Sequence, residues 1–344
     1  MRLPLKTLTR LVVVYLCVLL VIVLVAGATA NKNTWNYVHE AVISLRFSNP
    51  QFYSELERNA TREGVTVEEY YYRILAEAKG VRTQNLFLMG IDLLKKSFKY
   101  LSVQRDYDLG HALRVSMLVL VASMLATTLG GYFIGKLAVN RKRLTTVVDN
   151  LALFFAGLPS WWIGAVLISI FAVKLDLLPI SGIKTVPPET GAALVLDVLK
   201  HLILPVGAIF LIHVWEFASV IAHASREEID KPYILAEVAR GIPEGIIYRK
   251  HVLRNISILL ASFSVQKFME MVTDYLVVDI LFGLGGLGVL LKNSFVRQVV
   301  PVYGVVVRFD YRLFFVVLLS IATISFLVSL LLELVKGVLD PRVS

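Results

Sequence analysis

Long apolar runs alternate with polar intervals along this chain, and the runs set its architecture. Six of them are long enough to cross a hydrocarbon core, which takes about 20 helical residues. They lie near Leu8–Gly27, His111–Leu137, Thr146–Val173, Leu199–Ile221, Ile256–Phe282 and Leu313–Val335. The pattern predicts an all-α integral membrane protein with six transmembrane helices. It divides into residues 1–27 (an N-terminal segment with the first helix), 28–110 (a long loop) and 111–344 (a core of five helices).

The polar interval from Ser225 to Asn255 separates the fourth and fifth spans. Inside it Pro232 to Arg240 reads as a short amphipathic helix. Asp230 is its expected cap, Pro232 sits in the first turn where a missing N–H costs little, and Gly241 is its stop. Ile242 and Pro243 then turn the chain into a second helix carrying Ile246, Ile247, Val252 and Leu253. A mere connector needs no such design. This interval is expected to be gripped by another molecule.

Composition narrows the class. Of 344 residues 57% are hydrophobic, too many for a soluble protein. The formal charge of +9 comes from residues beside apolar runs, without an aromatic-interleaved basic patch, so membrane lipid and not nucleic acid is the expected contact. Cys17 is the only cysteine, which excludes intrachain disulfides and multi-cysteine metal sites.

Short-loop charge sets orientation. Arg2, Lys6 and Arg10 precede the first span; Lys136, Arg141, Lys142 and Arg143 follow the second. Arg226, Lys231, Arg240, Arg249, Lys250 and Arg254 fall in the organising interval, and Lys336 and Arg342 close the chain. Six alternating spans put all four groups on one side, expected to be cytoplasmic, with both termini. The start also has the form of a signal peptide, with Ala28-Thr29-Ala30 as cleavage site. Its apolar run exceeds the usual 7–15 residues, roughly, of a signal core, which favours a retained helix. Residues 28–110 then lie outside, with helical stretches expected at Val65–Lys79 and Leu86–Leu94. They form either a cap for an external partner or a packing lid.

Two nucleotide-like motifs fail in context. Gly130 to Lys136 matches GxxxxGK, but Leu137 replaces the Ser or Thr that a P-loop needs, and no strand precedes it. Small residues at a membrane-helix end serve close packing instead. Gly283 to Gly288 matches GxGxxG without a βαβ unit around it, and reads as a tight external turn. No catalytic constellation is visible, so a transport subunit is expected rather than an enzyme.

Charges within spans are more informative. His213 and Glu216 lie in the fourth span; Lys267, Glu270, Asp274 and Asp279 lie in the fifth. A central charge costs about 2.5–3.5 kcal/mol on insertion scales, so such groups face a partner or a wet cavity. Lys267, Glu270 and Asp274 share one helix face. His213, Glu216, Lys267, Glu270 and Asp274 are the expected pathway wall; the plainer alternative is a local Lys–Glu pair.

Together these segments resemble the membrane-spanning subunits of binding-protein-dependent ABC importers, specifically the first permease of the dipeptide/oligopeptide/nickel group. The likeness is close to collinear from about Thr146 to Pro341. It is carried by Tyr233, Ala239-Arg240-Gly241 and His251-Val252-Leu253-Arg254-Asn255, which resemble the family's cytoplasmic EAA loop. Leu158-Pro159-Ser160-Trp161-Trp162, Leu178-Pro179-Ile180-Ser181-Gly182, His201-Leu202-Ile203-Leu204-Pro205 and Gly337-Val338-Leu339-Asp340-Pro341-Arg342 also match. The chain departs from the pattern at Glu237, Val238 and Gly285, and residues 28–110 match only faintly.

The resemblance implies the type I importer fold and a coupling helix seated in a groove of an ATPase. Tyr233, Ala236, Ala239 and Gly241 would then pack at the groove, with Glu237 and Arg240 as polar contacts. It implies a second permease, two cytoplasmic ATPase subunits holding ATP and Mg, an external substrate-binding protein, and no cofactor on this chain. Peptides are the commonest cargo in the group; nickel and short oligosaccharides also occur. The competing class is a stand-alone channel or ion-coupled carrier using the buried acids, which needs no capped inner loop.

Overall fold

A computed structural model describes residues 5–78, 85–103, 108–187, 190–300 and 304–339. The first helix, α1 (Leu5–Ser48), carries the first apolar run and does not stop at Gly27. It continues through Ala28-Thr29-Ala30 as one helix of 44 residues. Asn49 and Pro50 restart the chain: the Asn49 side chain accepts the Phe52 N–H at 3.2 Å and Pro50 occupies the first turn of α2 (Pro50–Glu63). Gly64, at φ 69°, ends that helix in the left-handed region that favours glycine. Then follow α3 (Val67–Ala78) and α4 (Leu86–Val103), where two helices were expected; α4 runs further than expected, and Lys79 lies outside the described residues.

These elements fold as one compact unit, Leu16–Arg105 with Phe309–Leu319. Val38, Val42 and Tyr72 form its buried cluster, and Trp35 stacks on Tyr72 with ring centroids 5.1 Å apart. A methyl group on Gly27 would run into the Leu86 carbonyl, and one on Gly90 into the Val23 carbonyl. Two glycines thus let α1 and α4 cross backbone to backbone.

The second unit comprises Met1–Tyr15, Asp106–Arg308 and Ser320–Ser344. Its helix α5 (Leu109–Ala138) is capped by Asp108, whose carboxylate accepts the His111 N–H at 2.8 Å. After it come α6 (Lys142–Ala156) and α7 (Ser160–Leu167), the latter continued by wider π-helical turns over Ile168–Lys174. One span was expected over Thr146–Val173, but the two helices meet at 99°. Pro159 lacks an N–H to continue the ladder and disfavours a helical Leu158 before it, so the apolar run breaks at Gly157-Leu158-Pro159.

The long helix α8 (Gly191–Ile229) lies against α5. Gly131 and Gly135 explain how: a Cβ on Gly131 would stand 2.5 Å from the Phe217 Cβ, and one on Gly135 2.7 Å from the Ala218 carbonyl oxygen. The GxxxxGK glycines therefore serve helix packing. Two short helices, α9 (Pro232–Ala239) and α10 (Glu244–Ile247), follow, and π-helical turns over Tyr248–Val252 lead into α11 (Leu253–Phe282).

The glycine-rich turn after α11 is built by Asp279. This buried carboxylate accepts the N–H of Gly286 at 3.0 Å and of Val289 at 2.8 Å, fixing the start of α12 (Leu287–Asn293). Ser116 of α5 takes the Leu287 N–H at 3.0 Å and accepts the Tyr275 hydroxyl at 2.9 Å. A Cβ on Gly286 would collide with that hydroxyl. Gly182, in the Leu178–Gly182 motif, donates to the Phe282 carbonyl at 2.8 Å and ties two turns together. The GxGxxG pattern is a close-packed turn.

A two-stranded sheet of β1 (Phe295–Val300) and β2 (Gly304–Phe309) precedes the last helix, α13 (Tyr311–Leu339). Among the described residues the architecture is α-helical apart from this sheet. Among the described residues five helices are long and apolar enough to cross a membrane, and the bent α6–α7 pair makes a sixth. Arg2, Asp340, Pro341 and Arg342 lie outside the described residues.

Candidate functional site

The interval between α8 and α11 folds as a small unit of its own. Ile234 on α9 is buried with Ile247 and Val252, and Ile229, Ile242 and Tyr248 pack around them. Gly241 takes φ 76°, so the expected stop is a glycine doing what only glycine does cheaply. The expected cap is not there. Asp230 is right-handed as the C-cap just after α8, and Lys231 precedes α9 without a side-chain cap.

The base of α9 is held instead by a residue the sequence reading passed over. Glu228, 5% exposed, accepts from Lys231 Nζ at 2.5 Å, from Asn255 Nδ2 at 2.7 Å and from the Tyr233 hydroxyl. Asn255 also donates to the Tyr233 oxygen at 2.7 Å. Burial, and then the neighbouring Glu228 carboxylate, push the Tyr233 hydroxyl up to about 12, so it stays protonated and donates. Hydrogen bonds to a charged group are worth about 1.5–3 kcal/mol each, which offsets the desolvation of the carboxylate. Tyr233 and Asn255 were visible as motif residues; Glu228 was one acid in an acidic run. Only the fold brings positions 228, 233 and 255 together.

The other side of α9 is open. Tyr233, Leu235 and Val238 are 40%, 58% and 52% exposed, and Ala236 and Ala239 are exposed with them. Glu237 and Arg240 pair with each other at 3.2 Å. The helix thus buries Ile234 inward and shows an apolar face outward. Behind it lies a cavity of about 330 Å³, lined among others by Lys136, Ile229, Ile234, Val238 and Tyr248.

A second polar group joins α8 to α11 within their apolar length. Asp274 accepts from Ser160, the first residue of α7, at 2.8 Å and pairs with His213 Nε2 at 2.9 Å. Lys267 bridges Glu216 of α8 and Glu270 of its own helix, the latter at 2.5 Å. All five residues expected at a pathway are therefore drawn into one zone, and Ser160 joins them because α7 begins there. The nitrogen groups are inside: the side chains of His213 and Lys267 are each 5% exposed. The carboxylates are outside, at 36% for Glu216, 42% for Glu270 and 27% for Asp274. A simple local Lys–Glu pair does not describe this, because Glu216 comes from another helix. Asp279 stands apart in the turn described above. Among the described residues no three His, Cys, Asp or Glu side chains are placed to hold a metal ion.

A broken helix, charged groups between apolar helices and a capped loop at their ends define a multi-pass transport subunit. Residues 127–344 match the family described as the binding-protein-dependent transport system inner membrane component. That is more than half of the chain, and the chain belongs to this family. It is 24% identical over 249 residues to the oligopeptide transport system permease protein OppB of Haemophilus influenzae, covering 72% of this chain and 74% of that one. It is 26% identical over 254 residues to OppB of Escherichia coli K12, with the same coverage of 72% and 74%. It is 26% identical over 206 residues to the metal-staphylopine import system permease protein CntB of Staphylococcus aureus, covering 60% of this chain and 58% of that one. The chain is the membrane-embedded permease of a binding-protein-dependent ABC importer.

Proposed function

We propose that this chain carries peptides inward across the cell membrane, paired with a second similar permease. Two ATPase subunits, holding ATP and Mg, engage the interval 225–255 from the cytoplasm, where both termini also lie. A substrate-binding protein delivers cargo from outside, where residues 28–110 form a cap. This chain itself binds no cofactor and catalyses no reaction. Tyr233, Ala236, Glu237, Ala239, Arg240 and Gly241 make the ATPase contact. His213, Glu216, Lys267, Glu270 and Asp274 line the translocation pathway, with Ser160 beside them.

The observation that carries this reading is α9: a short helix held from within by Ile234 and from its base by Glu228, with Leu235 left open. An exposed apolar face on a rigid support suits docking in a groove. Peptide cargo is supported by relatives named as oligopeptide and di/tripeptide permeases. The relative named for metal-staphylopine import favours a metal chelate as the second reading of the cargo.

Co-purification tests the docking. The chain should bring its ATPase subunit through detergent extraction, and Gly241→Asp should release it, because Asp strains the φ of 76° and adds charge beside the docking face. An ATPase retained at wild-type level by Gly241→Asp would count against α9 as the contact. A ligand co-purifying with the binding protein decides between peptide and chelate.

A further inference from the structure

The Glu228 cluster does more than hold the base of one helix. Its three donors come from three places: Lys231 in the turn after α8, Tyr233 in α9 and Asn255 in the first turn of α11. Both ends of the interval are therefore tied at one carboxylate. Ser225 and Tyr248, in contact at 3.1 Å, add a second tie one turn away. The space behind α9 is not filled; the cavity of about 330 Å³ lies between this helix and the end of α5. A helix pressed from outside can sink into such a space unless its base is fixed, since close packing is what makes interiors stiff.

We propose that Glu228 is the positioning residue of the coupling loop: with Lys231, Tyr233 and Asn255 it clasps the loop's base, so that a push on α9 moves α8 and α11 instead of collapsing the cavity. This rests on α9 being the ATPase contact. The clasp is a mechanical joint and touches neither cargo nor nucleotide. It also gives two residues of the loop motif a task apart from the docking groove: the Tyr233 hydroxyl and the Asn255 amide serve the joint, while the apolar face of α9 serves the partner.

The test separates hydrolysis from movement. In the purified complete importer with its binding protein, Cys17→Ser removes the native thiol, and Gln266→Cys places a reporter on the exposed side of α11. Gln266 contacts Glu270 at 3.2 Å, so the reporter lies on the charged zone. Alkylation of the reporter is followed with and without ATP and vanadate, beside the rate of ATP hydrolysis, each per assembled complex. With the clasp intact, trapping should change the alkylation rate. In Glu228→Gln and in Asn255→Leu the complex should still hydrolyse ATP, within about twofold, while the trapping-dependent change falls about tenfold, the weight of one charge-assisted hydrogen bond.

Lys231→Met, which removes one donor of the clasp and no residue of the ATPase contact, should give an intermediate loss and keeps the test open if the other variants misfold. An unchanged response in these variants overturns the proposal. So does a loss of hydrolysis in step with the loss of movement. Failure of the underlying reading looks different: the unmodified chain would then carry no ATPase at all, and the ground for the joint would go with it.

Discussion

The helices α8 and α11 are joined by polar groups twice, and the two junctions are built inside out relative to each other. At the base of the loop the buried group is an anion, Glu228, and neutral and cationic donors converge on it. In the apolar length the buried groups are the cation Lys267 and the imidazole of His213, and the carboxylates turn outward. The first arrangement puts protein donors on both oxygens of a buried carboxylate, which suits it to hold. The second keeps acceptor lone pairs free at Glu216, Glu270 and Asp274 and so can meet something that passes. The same residue types between the same two helices suit the proposed joint in one place and the proposed pathway wall in the other.

The sharpest break in this comparison is Lys267→Met. It leaves Glu216 and Glu270 facing each other without the buried ammonium. Breaking a fully buried pair costs about 3–5 kcal/mol, but Glu216 and Glu270 are more than a third exposed and water screens them, which brings the loss to about 3 kcal/mol or less. Thermal denaturation of the purified importer should show the loss, together with reduced accumulation in the membrane. Glu228→Gln comes next, at about 1.5–3 kcal/mol, because one charge-assisted contact is weakened while the donors stay in place. Both junctions should therefore cost stability when their buried group is changed.

The outward carboxylates should behave otherwise. Glu270→Gln and Asp274→Asn should leave denaturation and subunit assembly nearly unchanged yet lower uptake about tenfold, a barrier change of about 1.4 kcal/mol. Normal uptake in both variants would reduce the wall to a packing feature. The smallest effect belongs to a surface control in the other unit. Arg73 pairs with Glu63 at 3.2 Å and Glu69 at 3.0 Å, all half-exposed. Arg73→Ala should cost less than about 1 kcal/mol and leave transport untouched.

What the sequence disclosed and what it hid follow from the same physics. Apolar runs of span length and basic inner loops are local properties, so the spans and the loop between the fourth and fifth could be read directly. Gly241 and the small residues of α5 were equally local, since each has one conformational or steric role. The break at Pro159 was harder to see because apolar residues continue on both sides of it, and composition says nothing of a 99° turn. Glu228 escaped because its donors are side chains 3, 5 and 27 residues further on, which no local capping pattern describes. The acid that reaches Asn255 is then chosen by the angle between helices. Likewise Ser160 joined the charged zone only once α7 began at that depth.

The account rests above all on α9 as the seat of the ATPase. A chain with Cys17→Ser and Leu235→Cys puts one thiol on the open face of that helix, where Leu235 is 58% exposed. Oxidative or short-reagent cross-linking in native membranes should join it to the ATP-hydrolysing subunit, with a yield that changes when nucleotide is trapped. A thiol at that position that stays freely alkylated in the assembled importer, whatever the nucleotide, would contradict the account.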